Sequence, residues 1–405
     1  MKSKTKTVIL VGDGMGDLPI PELDDRTPLE AADTPAMDYL AAHGELCRLQ
    51  TIPDGFPPGS DVANLSLLGY RPEKFYTGRS PLEAASMGVE LKPDEVAFRC
   101  NLVTLDFSTP NEVVMVDYSA DHIGSDEAKE LIHALERDAA TKKMRLYPGV
   151  SYRHLLVHRG EIADLTTVPP HDYTGKVVSR FWHDYLSQAD LKKFMTRAVN
   201  VLADHPVNRN RQAAGKKPAN AVWLWGEGKP PRMETMAAQY GVSSALISAV
   251  DLLKGIGVYA GMDIIEVPGA TGYLDTNYQG KVDGALKALK TKDLVFVHVE
   301  APDETGHQGL LKEKIQAIED FDNKIVQPVF ENLRGTEFRM VVCMDHYTPI
   351  SLRTHISAPV PLVLYDSRQM TPGSGMSYNE KNAEKTAELL RNGEEFFRKL
   401  LMADG

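Results

Sequence analysis

The chain is poor in cysteine, with three in 405 residues: Cys47, Cys100 and Cys343. An odd, scattered set offers no disulfide framework and no thiolate metal pattern, so reduced, mostly buried thiols in the cytoplasm are expected. Long apolar runs are also missing. The basic start, Met1 to Thr7, leads only to Val8–Val11 before Gly12-Asp13-Gly14 interrupts it. Neither a signal peptide nor a bilayer span is expected, and so no membrane partner. Positive charge is in deficit, with 45 Lys and Arg against 56 Asp and Glu, a net charge of -11. That balance argues against nucleic acid and anionic membranes as partners. It permits a small phosphorylated substrate, because metal ions and a few cations can make one pocket locally positive. There is no internal repeat, no low-complexity tract and no Walker-type Gly-x-x-x-x-Gly-Lys sequence. What is present, 42% hydrophobic and 25% charged residues, is ordinary globular composition at a length that suits two or three domains.

The apolar residues come in short runs closed by turn formers. Val8–Val11 reads as a buried central strand with Asp13 at its carboxyl end, the edge where open α/β sheets bind ligands. Thr34-Pro35 opens a helix with Thr as cap and Pro at the first position. A second helix follows Phe56-Pro57-Pro58-Gly59 at Ser60, and a third begins near Leu82 after the loop Tyr76–Pro81. From about Val96 the texture changes: a strand to Leu105, a helix over Asp126–Lys142, a strand at Tyr152–Val157 and a turn at Pro169–Tyr173. The basic stretch Asn208–Lys217 reads as a linker or exposed loop. Residues 96–217 are therefore expected to form an inserted second domain. The α/β rhythm returns with strands at Ala221–Trp225, Leu294–Val299 and Arg339–Met344, an apolar run at Ser244–Val250 and a helix at Ile315–Ile325. Alternation of this kind predicts a mostly parallel sheet with helices on both faces, built from residues 1–95 and 218–405.

Ser60 organises the candidate chemistry. A serine at the start of a helix commonly serves as an N-cap, its hydroxyl accepting a backbone N–H. The same place favours anions, which suits a serine that attacks or carries a phosphate. Acidic and imidazole groups cluster at three strand ends: Asp13; Asp303 and His307, four apart and so on one helical face; and Asp345-His346, followed by His355. Singly, each is a common cap, turn former or solvated helix face. Together, and with Ser60, they supply enough donors for two metal ions, and mixed carboxylate and imidazole donors suit zinc, manganese or iron.

Long motifs around these residues resemble the cofactor-independent phosphoglycerate mutases of archaeal type, within the alkaline phosphatase superfamily. They are Gly12-Asp13-Gly14-Met15-Gly16-Asp17, Pro58-Gly59-Ser60-Asp61-Val62-Ala63-Asn64-Leu65, Tyr76-Thr77-Gly78-Arg79, Trp223-Leu224-Trp225-Gly226, Glu300–His307, Asp345–Ile350 and Arg353-Thr354-His355. They span almost the whole chain. Departures from the family pattern fall at Tyr347, Leu310-Leu311 and Ile356-Ser357-Ala358, none at a candidate ligand.

The resemblance implies an alkaline-phosphatase-like α/β core with a smaller α+β cap. It implies interconversion of 3- and 2-phosphoglycerate through a phosphoserine on Ser60, without 2,3-bisphosphoglycerate. It also implies two divalent ions, usually manganese, with zinc or magnesium as alternatives. Asp13, Asp345 and His346 resemble the ligands of the ion that also touches Ser60; Asp303, His307 and His355 resemble those of the other. Arg79, Arg153, His154, His171 and Lys281 lie in family-like motifs as candidates for binding the substrate carboxylate and phosphate, and bidentate pairing favours the two arginines. The alternatives are a homoserine kinase-like phosphotransferase in threonine biosynthesis, proposed for a bacterial branch that the chain resembles, or a metal-dependent phosphatase. Oligomeric state is not readable from the sequence.

Overall fold

Each apolar run becomes a strand whose two faces are both covered. In the computed structural model, which describes residues 5–160, 162, 165, 167–369 and 373–402, Val8 to Val11 are all fully buried although alternate side chains point to opposite faces. The chain divides into two compact units, residues 1–76 with 232–405, and residues 77–231.

In the first unit the described residues form an eight-stranded sheet. Its order is Leu389–Leu390, Glu45–Leu49, Val360–Asp366, Phe338–Cys343, Lys6–Gly12, Leu294–Val299, Ser244–Ile247, Asp263–Ile264. The pairing is parallel except where Val360–Asp366 runs against both of its neighbours. Register decides where the site lies. Val11 pairs with His298 on one side and Cys343 on the other, and Gly12 with Val299. Asp13, Glu300 and Asp345 therefore leave the sheet at one level along its carboxyl edge. Helices Pro35–His43 and Tyr278–Leu289 pack on the strands. The first of these starts differently from the expected Thr cap. Thr34 makes no side-chain cap bond, and the Asp322 carboxylate accepts from Ala36 N–H at 3.1 Å and Met37 N–H at 2.7 Å instead. A distant carboxylate does the work that the adjacent threonine was expected to do.

The second unit is antiparallel throughout its described pairings. The strand Glu95–Asp106 pairs with Arg153–Arg159, Ala221–Gly228 and Val114–Asp117, and Met144–Tyr147 pairs with Arg153–Arg159. Helices Ser125–Asp138 and Ala189–Ala203 bury Leu131, Ile132, Leu135, Phe194 and Met195 in a core with Phe98, Leu102 and Trp223. Its bounds are wider than 96–217 because helix Arg79–Ser86 buries Ala84 against Ala97 and Leu155, and because Ala97 pairs with Gly228. The stretch read as a linker at Asn208–Lys217 is instead largely helix Pro206–Ala213, with Asn208 and Arg211 buried. Arg211 donates to Glu127, to the Ala120 carbonyl and to the Lys217 carbonyl. Polarity that looked solvent-facing is spent on internal partners.

Candidate active site

The Phe56–Gly59 segment delivers Ser60 to the first helical position. The N-cap is Gly59, in extended conformation, and the Ser60 hydroxyl makes no cap bond in the helix Ser60–Leu67. The expected cap role is thus corrected: Ser60 Oγ lies 3.0 Å from His346 Nε2. Gly59 can cap without a side chain because an extended residue needs only its carbonyl, which accepts from Ala63 N–H. Ser60 Oγ is left for other partners.

Around Ser60 the carboxyl edge brings together Asp13, Asp345 and His346, all buried. His346 Nε2 is 3.5 Å from Asp13 Oδ1 and 3.4 Å from Asp345 Oδ2. Asp345 Oδ1 accepts from Gly14 N–H at 3.1 Å and from its neighbour's N–H at 2.8 Å. Gly14 has φ +61, and a Cβ there would come within 2.7 Å of Asp303, so only glycine lets this loop pass so close. The second group follows in helix Ala301–Gln308. Asp303 Oδ2 lies 3.2 Å from His307 Nε2, and Oδ1 lies 3.3 Å from His355 Nε2. Thr348 joins the groups, donating to Asp303 Oδ1 with its Oγ1 3.2 Å from His346 Nδ1. Since the single threonine hydrogen goes to Asp303, His346 Nδ1–H donates to Thr348. Its Nε2 lone pair then faces Ser60 and the two carboxylates.

This donor set fits cations. The Nδ1 atoms face backbone carbonyls, His307 that of Arg353 at 3.0 Å and His355 that of Pro58 at 3.4 Å, which turns both Nε2 atoms, 2.8 Å apart, toward Asp303. Asp13 Oδ1 is buried with no hydrogen-bond partner among the described residues. Burial, then the Asp345 charge, holds the Asp13 carboxyl well above the usual carboxylate range. At Asp303 burial pushes the same way, but hydrogen bonds from His307 and His355 outweigh it and hold that carboxyl low. The Asp303 hydrogen bond in turn raises His307 to about 9. Convergent imidazole nitrogens and buried carboxylates of this kind suit a cation, which would take the place of the protons they now share.

One member of the cluster escaped the sequence reading. His298, fully buried, lies with Nε2 3.2 Å from Asp13 Oδ2, and donor atoms of Asp13, His298 and Asp345 all fall within 4.8 Å of one another. Its only signal was a histidine inside an otherwise apolar strand, one residue from the carboxyl end. Lys281 lies beneath it. This lysine is buried rather than solvated, and its Nζ donates to the His298 carbonyl at 2.9 Å.

The other proposed binding residues belong to the 77–231 unit. Arg79 and Arg153 are exposed, and Arg153 lies 5.7 Å from the Tyr152 ring centre. His171 is exposed and packs edge-on against Trp225, with centroids 5.8 Å apart. Arg99, also missed, stacks on the other partner of that pair: its guanidinium lies 4.1 Å from the Trp225 ring centre and 3.1 Å from Glu83. Burial lowers its pKa, and the charges of Arg79 and Arg153 add to the effect, so three cations share one neighbourhood. His154 points inward. Its Nδ1 accepts from Gly149 N–H at 3.0 Å, and burial holds the imidazole down at about 3, so it is neutral.

Among known proteins, the family model for 2,3-bisphosphoglycerate-independent phosphoglycerate mutase matches residues 41–208. A protein of that name from Methanosarcina acetivorans is 51% identical over 95% of this chain and 96% of its own. A probable 2,3-bisphosphoglycerate-independent phosphoglycerate mutase from Geobacter sulfurreducens is 48% identical over 96% and 97%. Among solved structures, a Pyrococcus horikoshii protein superposes with a TM-score of 0.81 at 30% identity, covering 99% of this chain and 97% of that one. The cofactor-independent phosphoglycerate mutase of Thermoplasma acidophilum gives a TM-score of 0.68 at 25% identity over the full length of both chains.

Proposed function

The chain belongs to the 2,3-bisphosphoglycerate-independent phosphoglycerate mutase family, and on that premise we propose that it interconverts 3- and 2-phosphoglycerate through a phosphoserine on Ser60. It is an enzyme, an isomerase. The observation that carries the role of Ser60 is its hydroxyl, 3.0 Å from His346 Nε2, at the start of a helix beside Asp13 and Asp345.

The Ser60 oxygen takes the phosphoryl group from one glycerate hydroxyl, which leaves with a proton. After the glycerate turns, its other hydroxyl attacks the phosphoserine and Ser60 is released. The first-turn N–H groups of helix Ser60–Leu67 favour the phosphate charge. Asp13, Asp345, His346 and Ser60 would hold one divalent ion and Asp303, His307 and His355 a second, which when bound supply a lowered serine pKa and neutralisation of phosphoryl charge. Manganese is the ion we favour, with zinc or magnesium as alternatives. Arg79, Arg153 and Arg99 suit the substrate carboxylate and phosphate, which their planar forks can pair bidentately. The 77–231 unit is assigned the part of a cap that keeps water from the phosphoserine, since hydrolysis there would turn a mutase into a phosphatase. Three buried free cysteines accord with a reducing compartment, the cytoplasm.

The test is an assay of purified protein with Mn2+ and 3-phosphoglycerate, without 2,3-bisphosphoglycerate. The expected product is 2-phosphoglycerate. Release of free phosphate alone, or phosphorylation of homoserine from ATP in its place, overturns the reading. Ser60→Ala should show no turnover and no retained phosphate.

A further inference from the structure

Asn64 lies one helical turn after Ser60, fully buried, and its amide is committed twice. Nδ2 donates to the Ser60 carbonyl at 2.9 Å and to Asp345 Oδ2 at 2.9 Å. Both partners accept only, so the amide cannot be flipped without setting an oxygen against two oxygens. Its own Oδ1 is buried with no hydrogen-bond partner among the described residues. An orphaned buried carbonyl is destabilising, and an asparagine inside a helix gains nothing there from propensity. Leucine or alanine would fill the position without that cost. The two donors are the only property of Asn64 that its neighbours use.

We infer that Asn64 is a positioning residue that ties the nucleophile's turn of helix to the Asp345 carboxylate, fixing the Ser60 oxygen in register with the ion that Asp345 holds. This rests on the reading of Ser60 as nucleophile and Asp345 as ligand. The physical basis is that the helix and the strand Phe338–Cys343 leading to Asp345 are far apart in sequence, and Asp345 Oδ2 belongs to the carboxylate that would face the ion. A donor on that oxygen sets its rotamer, and the bond from the same amide to the Ser60 carbonyl transmits the setting to the nucleophile's backbone.

The experiment is Mn2+ binding by calorimetry to the full chain and to Asn64→Ala, Asn64→His and Thr51→Val, with thermal midpoints of the metal-free proteins alongside. Thr51 Oγ1 donates to the Asp345 carbonyl at 2.6 Å, so its variant loosens the same loop but leaves the carboxylate partner in place. Asn64→Ala should weaken one of two Mn2+ sites by about 10–100-fold, as loss of an outer partner does, and leave the second unchanged. Its kcat should fall with KM nearly constant. Asn64→His, which keeps one N–H donor, should recover part of both. Thr51→Val should shift the thermal midpoint without selective loss at one site. Equal weakening of both sites by Asn64→Ala, or no weakening, overturns the inference. If Asn64→Ala does not fold, Asn64→His against Thr51→Val carries the comparison, and equal selective loss in both is the overturning result. None of these binding readouts needs substrate, so a failed mutase assay or an active Ser60→Ala protein defeats the functional reading by a separate measurement.

Discussion

The Lys314 ammonium is fully buried and held by three oxygens: Asp17 Oδ2 at 2.8 Å, the Thr348 carbonyl at 2.7 Å and the Gly16 carbonyl at 3.1 Å. It therefore pins two of the loops that carry site residues, one just after Asp13 and one just after His346. A buried pair adds little net stability over apolar neighbours, but removing one partner leaves the other charge alone in the interior. Lys314→Met should cost about 3–5 kcal/mol in urea unfolding, because Asp17 is left uncompensated. Lys314→Met with Asp17→Asn should recover much of that loss, a double-mutant cycle that separates the charge pair from simple packing.

Elements place the chemistry by their ends. Parallel strands of matched register deliver Asp13, Glu300 and Asp345 to one edge, and helix Ala301–Gln308 then puts Asp303 and His307 four residues apart on a single face. The loop after Lys6–Gly12 turns at Gly14 with φ +61, against Asp303 and Thr348. Gly14→Ala should cost about 1–2 kcal/mol for the left-handed backbone alone. The added methyl would also press on Asp303, so Mn2+ affinity should fall by more than the stability change accounts for. Calorimetric titration and thermal unfolding of the same preparation check both halves. The helix starts teach a related lesson: Ser60 and Thr34 both sit where caps are expected, yet neither side chain caps. Gly59 and the remote Asp322 stand in for them, and the Ser60 hydroxyl is thereby left for His346.

At the scale of the whole molecule the two units should answer different perturbations. The candidate ligands Asp13, Ser60, Asp303, His307, Asp345, His346 and His355 all belong to the unit of residues 1–76 and 232–405. Mn2+ at 100 times its dissociation constant should stabilise that unit by about 2.7 kcal/mol, and a chelator should reverse it; slowed exchange of the Val8–Val11 amides is the readout. Acid should act on the other unit as well, through His154. His154 is held at about 3 by burial against an ordinary value of 6.5, so an unfolded chain takes up a proton that the fold refuses. The stability it contributes is complete above about pH 6.5 and is lost as pH falls toward 3, by about 2 kcal/mol between pH 7 and 5. The three tryptophans, Trp182, Trp223 and Trp225, lie in that unit and report its unfolding. His154→Gln should flatten the pH dependence of their denaturation midpoint over that range.

The sequence alone determined the strands and the types of candidate donor. Buried parallel strands are short apolar runs, and metal-type donors stand just after them, so periodicity finds Val8–Val11 and marks Asp13, Asp303–His307 and Asp345-His346 as a joint set of candidates. Motif resemblance added the proposed pairing of ligands and the proposed part of Ser60. Only the tertiary structure decided what depends on contacts between distant segments. His298 joins the cluster through sheet register, Asn64 through a bond to a residue 281 positions away, and Arg99 through a tryptophan on another strand. Lys281 read as a candidate for binding substrate and Arg211 as part of an exposed loop, yet each is buried on backbone carbonyls that no local pattern discloses. Local sequence encodes which residues can do chemistry; which of them meet around Ser60 is settled by the packing of the chain around it.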